Sequence, residues 1–372
     1  MKTLATISRI ITGIVFTFSG FVKAVDPVGT EIKLGDYFEA MGLDFLMPYA
    51  LIFALLLNTA ELTVGIMLLF NLLPKFSSWV ALVFLIIFTP LTFWLAVANP
   101  VTDCGCFGDA IKLTNWQTFG KNVILLIFVL IFFIYAKNNS SKIKLKKPVI
   151  ISIVLAFLAL GFQLKNLKCL PPIDFRPFKK GVNIKEASAI PEDAEKDVYE
   201  TVLFYKNLKT GELKEFNIDN IPYEDTLTWE YDTTITKLIS KGYEPPIHDF
   251  FLTDLQGNDR TSQILNDKNV SYIMILHKFE EGLNKIDESV NEIAKYAKDN
   301  NLNFYCFTSS GNKEINENKN RLPQNIIICT ADYKMLKTFA RKNPSFVVLE
   351  NAVIKEKVPF GKAKKKYKIN TK

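Results

Sequence analysis

The sequence predicts a membrane α-helical bundle followed by an extracytoplasmic α/β domain. Three observations carry this prediction. Nearly all long apolar runs lie in the first 165 of 372 residues. That first part holds 13 Lys/Arg and 8 Asp/Glu, which leaves 45 − 13 = 32 and 38 − 8 = 30 for the rest. The C-terminal part alternates short apolar runs with amphipathic stretches. The overall hydrophobic content of 49% is ordinary for a soluble chain, so it is the distribution that excludes a single soluble domain. Five cysteines exclude a disulfide-dense scaffold. The net charge of +7 does not indicate a nucleic-acid partner, because many of the basic residues flank apolar segments.

Five candidate spans fall at about 5–25, 45–73, 77–98, 116–136 and 148–164. Arg9 lies inside the first and is expected to snorkel toward the headgroups. A cleaved signal peptide is the alternative for this segment, but no small-x-small cleavage site is evident and further spans follow. With the N-terminus in the cytoplasm, the cytoplasmic side carries Lys2, Arg9, Lys75, Lys137, Lys142, Lys144, Lys146 and Lys147. The outer short loops carry Lys23, Lys33, Lys112 and Lys121. The positive-inside rule therefore predicts an inner-membrane, multi-pass protein whose C-terminal domain is periplasmic and whose first partner is the lipid bilayer. Between spans one and two, Lys33–Leu43 places Leu34, Tyr37, Phe38 and Met41 at helical spacing, which suits either an interfacial helix or a solvated one. Glu61 lies mid-span with Asn58 and Thr59 close by. It is expected to face the bundle interior, as a proton-handling group or as a polar clamp, with Lys23 as a candidate partner.

The third-to-fourth loop reads NPVTDCGCFGDAIKLTNW. Cys104 and Cys106 flank Gly105, with Asp103 beside them in a supporting position. A disulfide across so short a ring is strained, and strain makes it easily reduced. The pair reads as a redox-active dithiol. Structural roles remain open, either a bond from one of them to Cys169 or two buried thiols. So does a metal site, although zinc would need two further ligands. Lys112 is the nearest cation in sequence that could lower a thiol pKa.

At this point the residues carry a resemblance. RIITGIVFTFSGFVKAVDPVGT, LNTAELTVGIMLL and DCGCFGDAIKLTNWQTFGKNVILL together resemble the first helix, second helix and cysteine loop of the DoxX and MauE-like membrane proteins, over about residues 1–136. The resemblance implies a four-helix bundle linked to maturation of a disulfide-rich enzyme, with thiol oxidation or electron transfer as its activity. Cys104 and Cys106 are then the candidate catalytic pair. A fifth span and a large outer domain are additions to that pattern. The implied partner is an extracytoplasmic protein client. The cofactor is not fixed by the sequence; a quinone in the bundle is a candidate electron acceptor.

The outer part begins with a Pro- and charge-containing linker at 166–200 that is expected to pack along the surface. A hairpin follows at 201–216, turning at Gly211, and a second hairpin-like stretch, HDFFLTDLQGNDR, turns at Gly257. Strands are expected at Tyr272–His277, Phe304–Phe307, Ile326–Cys329 and FVVLE, with helices at Leu283–Ala297 and after Asp332. Cys306 and Cys329 are read as core residues, or as a disulfide if their strands are neighbours. His277 reads as a structural histidine. This order resembles a thioredoxin-like fold over about 248–356, and the resemblance assigns Pro344 to that family's cis-proline position. The departure is at HKFEEGLN, where the family's Cys-x-x-Cys would stand and no cysteine occurs. The expected division is therefore 1–140 as the four-helix bundle, 141–165 as the fifth helix, 166–247 as linker and hairpin, and 248–372 as a redox-inactive docking domain with a basic tail. The rival expectation is a non-catalytic scaffold or assembly factor with structural cysteines.

Overall fold

The computed structural model describes residues 2–101, 103–139, 146–222, 225–240 and 242–363. Lys142 and Lys144 of the basic run, and the basic tail beyond Ala363, lie outside the described residues. The chain divides into two compact units, Met1–Ile184 with Asp249–Lys372, and Lys185–His248.

The first unit starts with α1 (Lys2–Val25), α2 (Pro27–Ala40), α3 (Ala50–Leu69), α4 (Pro74–Ala98), α5 (Asn115–Asn138) and α6 (Lys146–Lys168). With the 3₁₀ turn Asp44–Tyr49 that leads into α3, five of these segments are long and apolar enough to cross a membrane. Their outward side chains are apolar too, with Ile52, Ile86, Ile124 and Phe157 all exposed. A helix that is apolar all round belongs in lipid. Inside the bundle, Phe16, Val64, Leu82, Leu85, Leu125 and Val129 form one core. α1 and α3 cross closely at two glycines. A Cβ on Gly20 would stand 2.5 Å from the Leu62 backbone nitrogen, and one on Gly65 would stand 2.4 Å from that of Thr17. α6 is tied in by Gln163, which donates to Thr59 Oγ1 at 2.8 Å, and by Asn166, which donates to Ala24 O at 3.0 Å. Arg9 does more than snorkel. Its guanidinium donates to the carbonyls of Leu68 and Leu69 at the end of α3.

The helix expected at Lys33–Leu43 begins earlier. Asp26 accepts a hydrogen bond from Gly29 N and Pro27 opens the first turn, so α2 runs from Pro27 to Ala40.

The second part of this unit carries β4 (Thr253–Asp254), α8 (Thr261–Leu265), β5 (Val270–Leu276), α9 (Phe279–Leu283), α10 (Ser289–Asp299), β6 (Asn303–Thr308), α11 (Asn312–Asn318), β7 (Ile326–Thr330), α12 (Tyr333–Phe339), β8 (Ser345–Glu350) and β9 (Val353–Pro359); α7 (Ile184–Ala187) and β1 to β3 precede them in the chain. The sheet order is β4-β7-β6-β5-β8-β9. β5, β6 and β7 are parallel, and β8, β9 and β4 join antiparallel. The Asn343–Pro344 peptide that leads into β8 is cis.

Three expectations are corrected here. The helix expected from Leu283 starts at Ser289 instead: Leu283 closes α9, and the Asp287 carboxylate takes the Ser289 backbone N–H at 3.1 Å where α10 begins. The second hairpin shrinks to a single bridge, Thr253 to Asp259, around the Gly257 turn, and β4 pairs with β7 instead. The stretch 166–200 does not lie along a surface throughout. Arg176, Phe178 and Ile184 are among the most buried side chains, and Asn183 bridges to Val353 of β9. Arg176 and Lys357 both bind Asp174, at 2.6 Å each.

The Cys306–Cys329 disulfide is also excluded. β6 and β7 are neighbours, but Cys306 stands opposite Ile328, and Cys329 stands opposite Phe307. One position of offset puts the two sulfurs on opposite faces of the sheet. Both thiols are free and buried, and burial raises both, Cys329 to about 11.

The second unit is a three-stranded antiparallel sheet, β2-β1-β3, from β1 (Val198–Asn207), β2 (Leu213–Asn217) and β3 (Trp229–Ser240). The hairpin at 201–216 is present, with Gly211 at φ +74°. β3 was not expected from the sequence. Its Thr- and charge-rich WEYDTTITKLIS lacks a clean apolar alternation, and it is held by pairing along most of β1.

Candidate functional site

The loop between α4 and α5 is built to hold two cysteines still. Asn115 opens α5, and its side-chain amide donates to Leu95 O, Asn99 Oδ1 and Val101 O at 3.2, 2.9 and 2.8 Å, closing the neck of the loop. Asp103 accepts from Gly105 N at 2.8 Å and from Lys33 Nζ at 2.9 Å. The carbonyl of Cys104 accepts from the Tyr37 hydroxyl at 2.5 Å, and that of Cys106 from Ser19 Oγ at 2.5 Å. Gly105 and Gly108 take φ of +61° and +51°, and a Cβ at Gly105 would press on the Lys33 stem at 2.9 Å. α1, α2 and α5 thus each contribute to the position of the pair.

The two sulfurs are not equivalent. Cys104 Sγ takes the Cys106 backbone N–H at 3.2 Å and lies 3.4 Å from the Thr118 hydroxyl. The Cys106 thiol, the Thr118 hydroxyl to which the Cys104 thiol donates, and the Cys106 N–H pull Cys104 below the ordinary thiol range in spite of its burial, and Lys121 contributes at longer range. Cys106 is pushed up, first by its neighbour and then by burial. The nearest cation in sequence, Lys112, is exposed. Lys121, one helical turn into α5 from Thr118, takes that role, its ammonium 4.7 Å from the centre of the Phe107 ring. All five cysteines are free thiols, so neither Cys104 nor Cys106 is bonded to Cys169. Among the described residues, no group of three His, Cys, Asp or Glu is placed to hold a metal.

Glu61 pairs with Lys23 at 2.8 Å. Asn58 donates to Lys23 O and Thr30 Oγ1, at 3.2 Å each, whereas Thr59 turns away toward Gln163 of α6. Glu61, Lys23, Cys104 and Cys106 all line one cavity of about 70 Å³.

Pro344 is remote from this loop in sequence, but α12, just upstream of it, lies against α2. Lys334 reaches Asp36 at 2.7 Å, Lys337 reaches Glu31 at 3.1 Å, and Arg341 reaches Asp26 at 2.8 Å and Asp109 at 3.7 Å. Burial alone would raise Asp26, but Arg341 and Arg176 hold it below the usual carboxylate range. Burial dominates at Asp109 and pushes it up. This contact was not legible in the sequence. The acidic residues of α2 look like ordinary loop charges there, and their partners lie about 300 residues away. His277, at the end of β5, is buried and bonds Ala340 O at 2.6 Å. Burial lowers it to about 4, so it is neutral.

Five spanning helices with a dithiol loop define a multi-pass membrane protein of the helical-bundle kind. Residues 1–135 match the family model described as methylamine utilisation protein MauE, a membrane family. Residues 199–241 match a domain of unknown function (DUF8463). No curated protein and no solved structure matches the chain.

Proposed function

We propose that Cys104 and Cys106 cycle between dithiol and disulfide at the outer face of the inner membrane, and that the region 248–372 is a thioredoxin-like docking module for the protein client. The observation that carries this reading is the environment of Cys104, where the Cys106 thiol, the Cys106 N–H and the Thr118 hydroxyl converge on one sulfur and favour its thiolate. A sulfur that is stable as a thiolate is the better leaving group when a client thiolate attacks its disulfide. In the oxidising direction, a client thiolate attacks the Cys104–Cys106 bond and forms a mixed disulfide. The second client thiol then displaces it, so the client loses two electrons and Cys104 and Cys106 return as thiols. The positive match of 1–135 to a maturation family supports the redox setting. The parallel β5-β6-β7 core with antiparallel β8 and β9 supports the thioredoxin-like reading, and His277 where a cysteine pair would follow β5 supports docking without redox chemistry.

Replacing both cysteines by Ser tests the proposal in cells. Client thiols, trapped by rapid alkylation, are expected to stay reduced while the protein's abundance is unchanged. Unchanged client oxidation sinks the exchange reading. Loss of the protein itself in the Cys104→Ser variant favours the scaffold instead.

A further inference from the structure

α2 is gripped by two parts of the molecule at once. From the α/β region, Arg341 Nε donates to both carboxylate oxygens of Asp26, the cap of α2, at 3.1 and 2.9 Å. Arg341 Nη1 donates to Lys337 O at 2.8 Å, which ties the guanidinium to the last turn of α12. Lys337 and Lys334 take Glu31 and Asp36 further along the helix. Toward the cysteine loop, the same α2 sends Lys33 to Asp103 and the Tyr37 hydroxyl to Cys104 O. Leu34 and Tyr37 pack with Leu95, Cys104 and Cys106 in one small apolar cluster. Asp103 in turn holds Gly105 N, one residue before the N–H that Cys106 donates to Cys104 Sγ. α2 lies outside the five spanning segments, so its position rests on these contacts rather than on a length of apolar helix in lipid. The strongest of them is Arg341 with Asp26, whose side chains are only 4% and 15% exposed, so that solvent and salt screen the pair little.

We propose that α2 couples the α/β region to the dithiol, with Arg341 as a positioning residue: its hold on Asp26 keeps α2 where Lys33 and Tyr37 fix the cysteine loop. The inference rests on the dithiol–disulfide reading above and adds a regulation to it. While α12 grips α2, the loop is held and the Cys106 N–H stays on Cys104 Sγ. When α12 is released, the loop loosens, that donor moves off and the Cys104 thiolate loses support. A dithiol whose reduced form is less stabilised is a weaker oxidant as the disulfide. A client that draws α12 away from α2 thus changes the reactivity of the pair without touching it.

The test uses the full chain in lipid nanodiscs, reduced and alkylated with iodoacetamide across a pH series, with Cys104 modification read from its own peptide by mass spectrometry. Accessibility sets the plateau of the profile, whereas the thiolate fraction sets its midpoint. Arg341→Met should move the midpoint to higher pH and slow alkylation several-fold near neutrality. Arg341→Lys, which keeps the charge, should recover part of the shift. Lys334→Ala leaves the Asp26 pair in place and should keep the parental midpoint. Tyr37→Phe cuts the other end of the coupling and should shift the midpoint in the same direction while hydrogen exchange in 333–339 stays at the parental level. Because one helix carries both effects, the double variant of Arg341→Met with Tyr37→Phe should move no further than the larger single shift. A parental midpoint in Arg341→Met, with raised hydrogen exchange in 27–40 to show that α2 has been released, overturns the inference, and so do additive shifts. If Arg341→Met is not recovered from the membrane, Arg341→Lys decides in the same way. Shifts as expected, in a protein whose pair does not cycle with glutathione disulfide, keep the coupling and count against the exchange reading instead.

Discussion

The Thr118 hydroxyl is one of the groups that set the two cysteines apart chemically. Thr118→Val removes the hydroxyl beside Cys104 and keeps the side-chain shape. Alkylation of Cys104 should then shift to higher pH and slow several-fold near neutrality, because a hydrogen bond to a charged sulfur is worth about 1.5–3 kcal/mol. An unshifted pH–rate profile would show that Thr118 does not hold the thiolate. His277 makes a second prediction, with opposite consequences for stability. Its pKa falls from 6.5 in the unfolded chain to about 4 in the folded one, chiefly through burial. The unfolded state therefore binds the proton first as pH falls. Stability is full above about pH 6.5 and declines toward pH 4, by about 3 kcal/mol at 1.36 kcal/mol per unit. Denaturant melts of the full chain across that window should show the loss, and His277→Asn should flatten it. At this scale the sequence was half legible. The Cys-Gly-Cys spacing marks the pair, and charge inside a span marks Glu61. The cation that serves the pair could not be read off, because Lys112 is nearer along the chain and Lys121 is nearer in space only once α5 has formed.

Between elements, two kinds of contact do the positioning. The first is backbone contact without side chains, where α1 meets α3 at Gly20 and Gly65. Gly65→Val would drive a branched side chain into the Thr17 backbone, and the bundle should fail to assemble; trypsin sensitivity of the membrane fraction checks this. The second is charge between α2 and α12. Its members are unequal. Lys334 has 57% of its side chain exposed and Arg341 4%. Removing Lys334 should cost at most about 1 kcal/mol and less in high salt. Arg341→Met strands Asp26 and should cost about 3–5 kcal/mol. Hydrogen exchange in 27–40 and 333–339 should rise together in that variant and stay near the parent in Lys334→Ala. The spans were legible as elements, since twenty apolar residues have few other homes. β3 and the break before α10 were not. The first is held by its partner strand and the second by one aspartate, and neither leaves a periodic trace.

For the molecule as a whole, the partition of charge and apolar length carries most of the reading. An odd number of spans and the lysine bias predict that the region after α6 lies outside. Cys169, partly accessible just beyond α6, reports on this. In a variant where it is the sole cysteine, a membrane-impermeant maleimide should label it in intact cells. Labelling only after permeabilisation would invert the topology and move the dithiol to the cytoplasm. The Arg341–Asp26 pair also has a consequence in time. Its members are 315 residues apart, so at 5–20 residues per second a ribosome takes about 15–60 s to supply the second after the first. Throughout that interval the N-terminal helices sit in the membrane with the acidic face of α2 bare. A nascent chain stalled before residue 334 would expose that face to any passing cationic surface, and what protects it is the rate of synthesis.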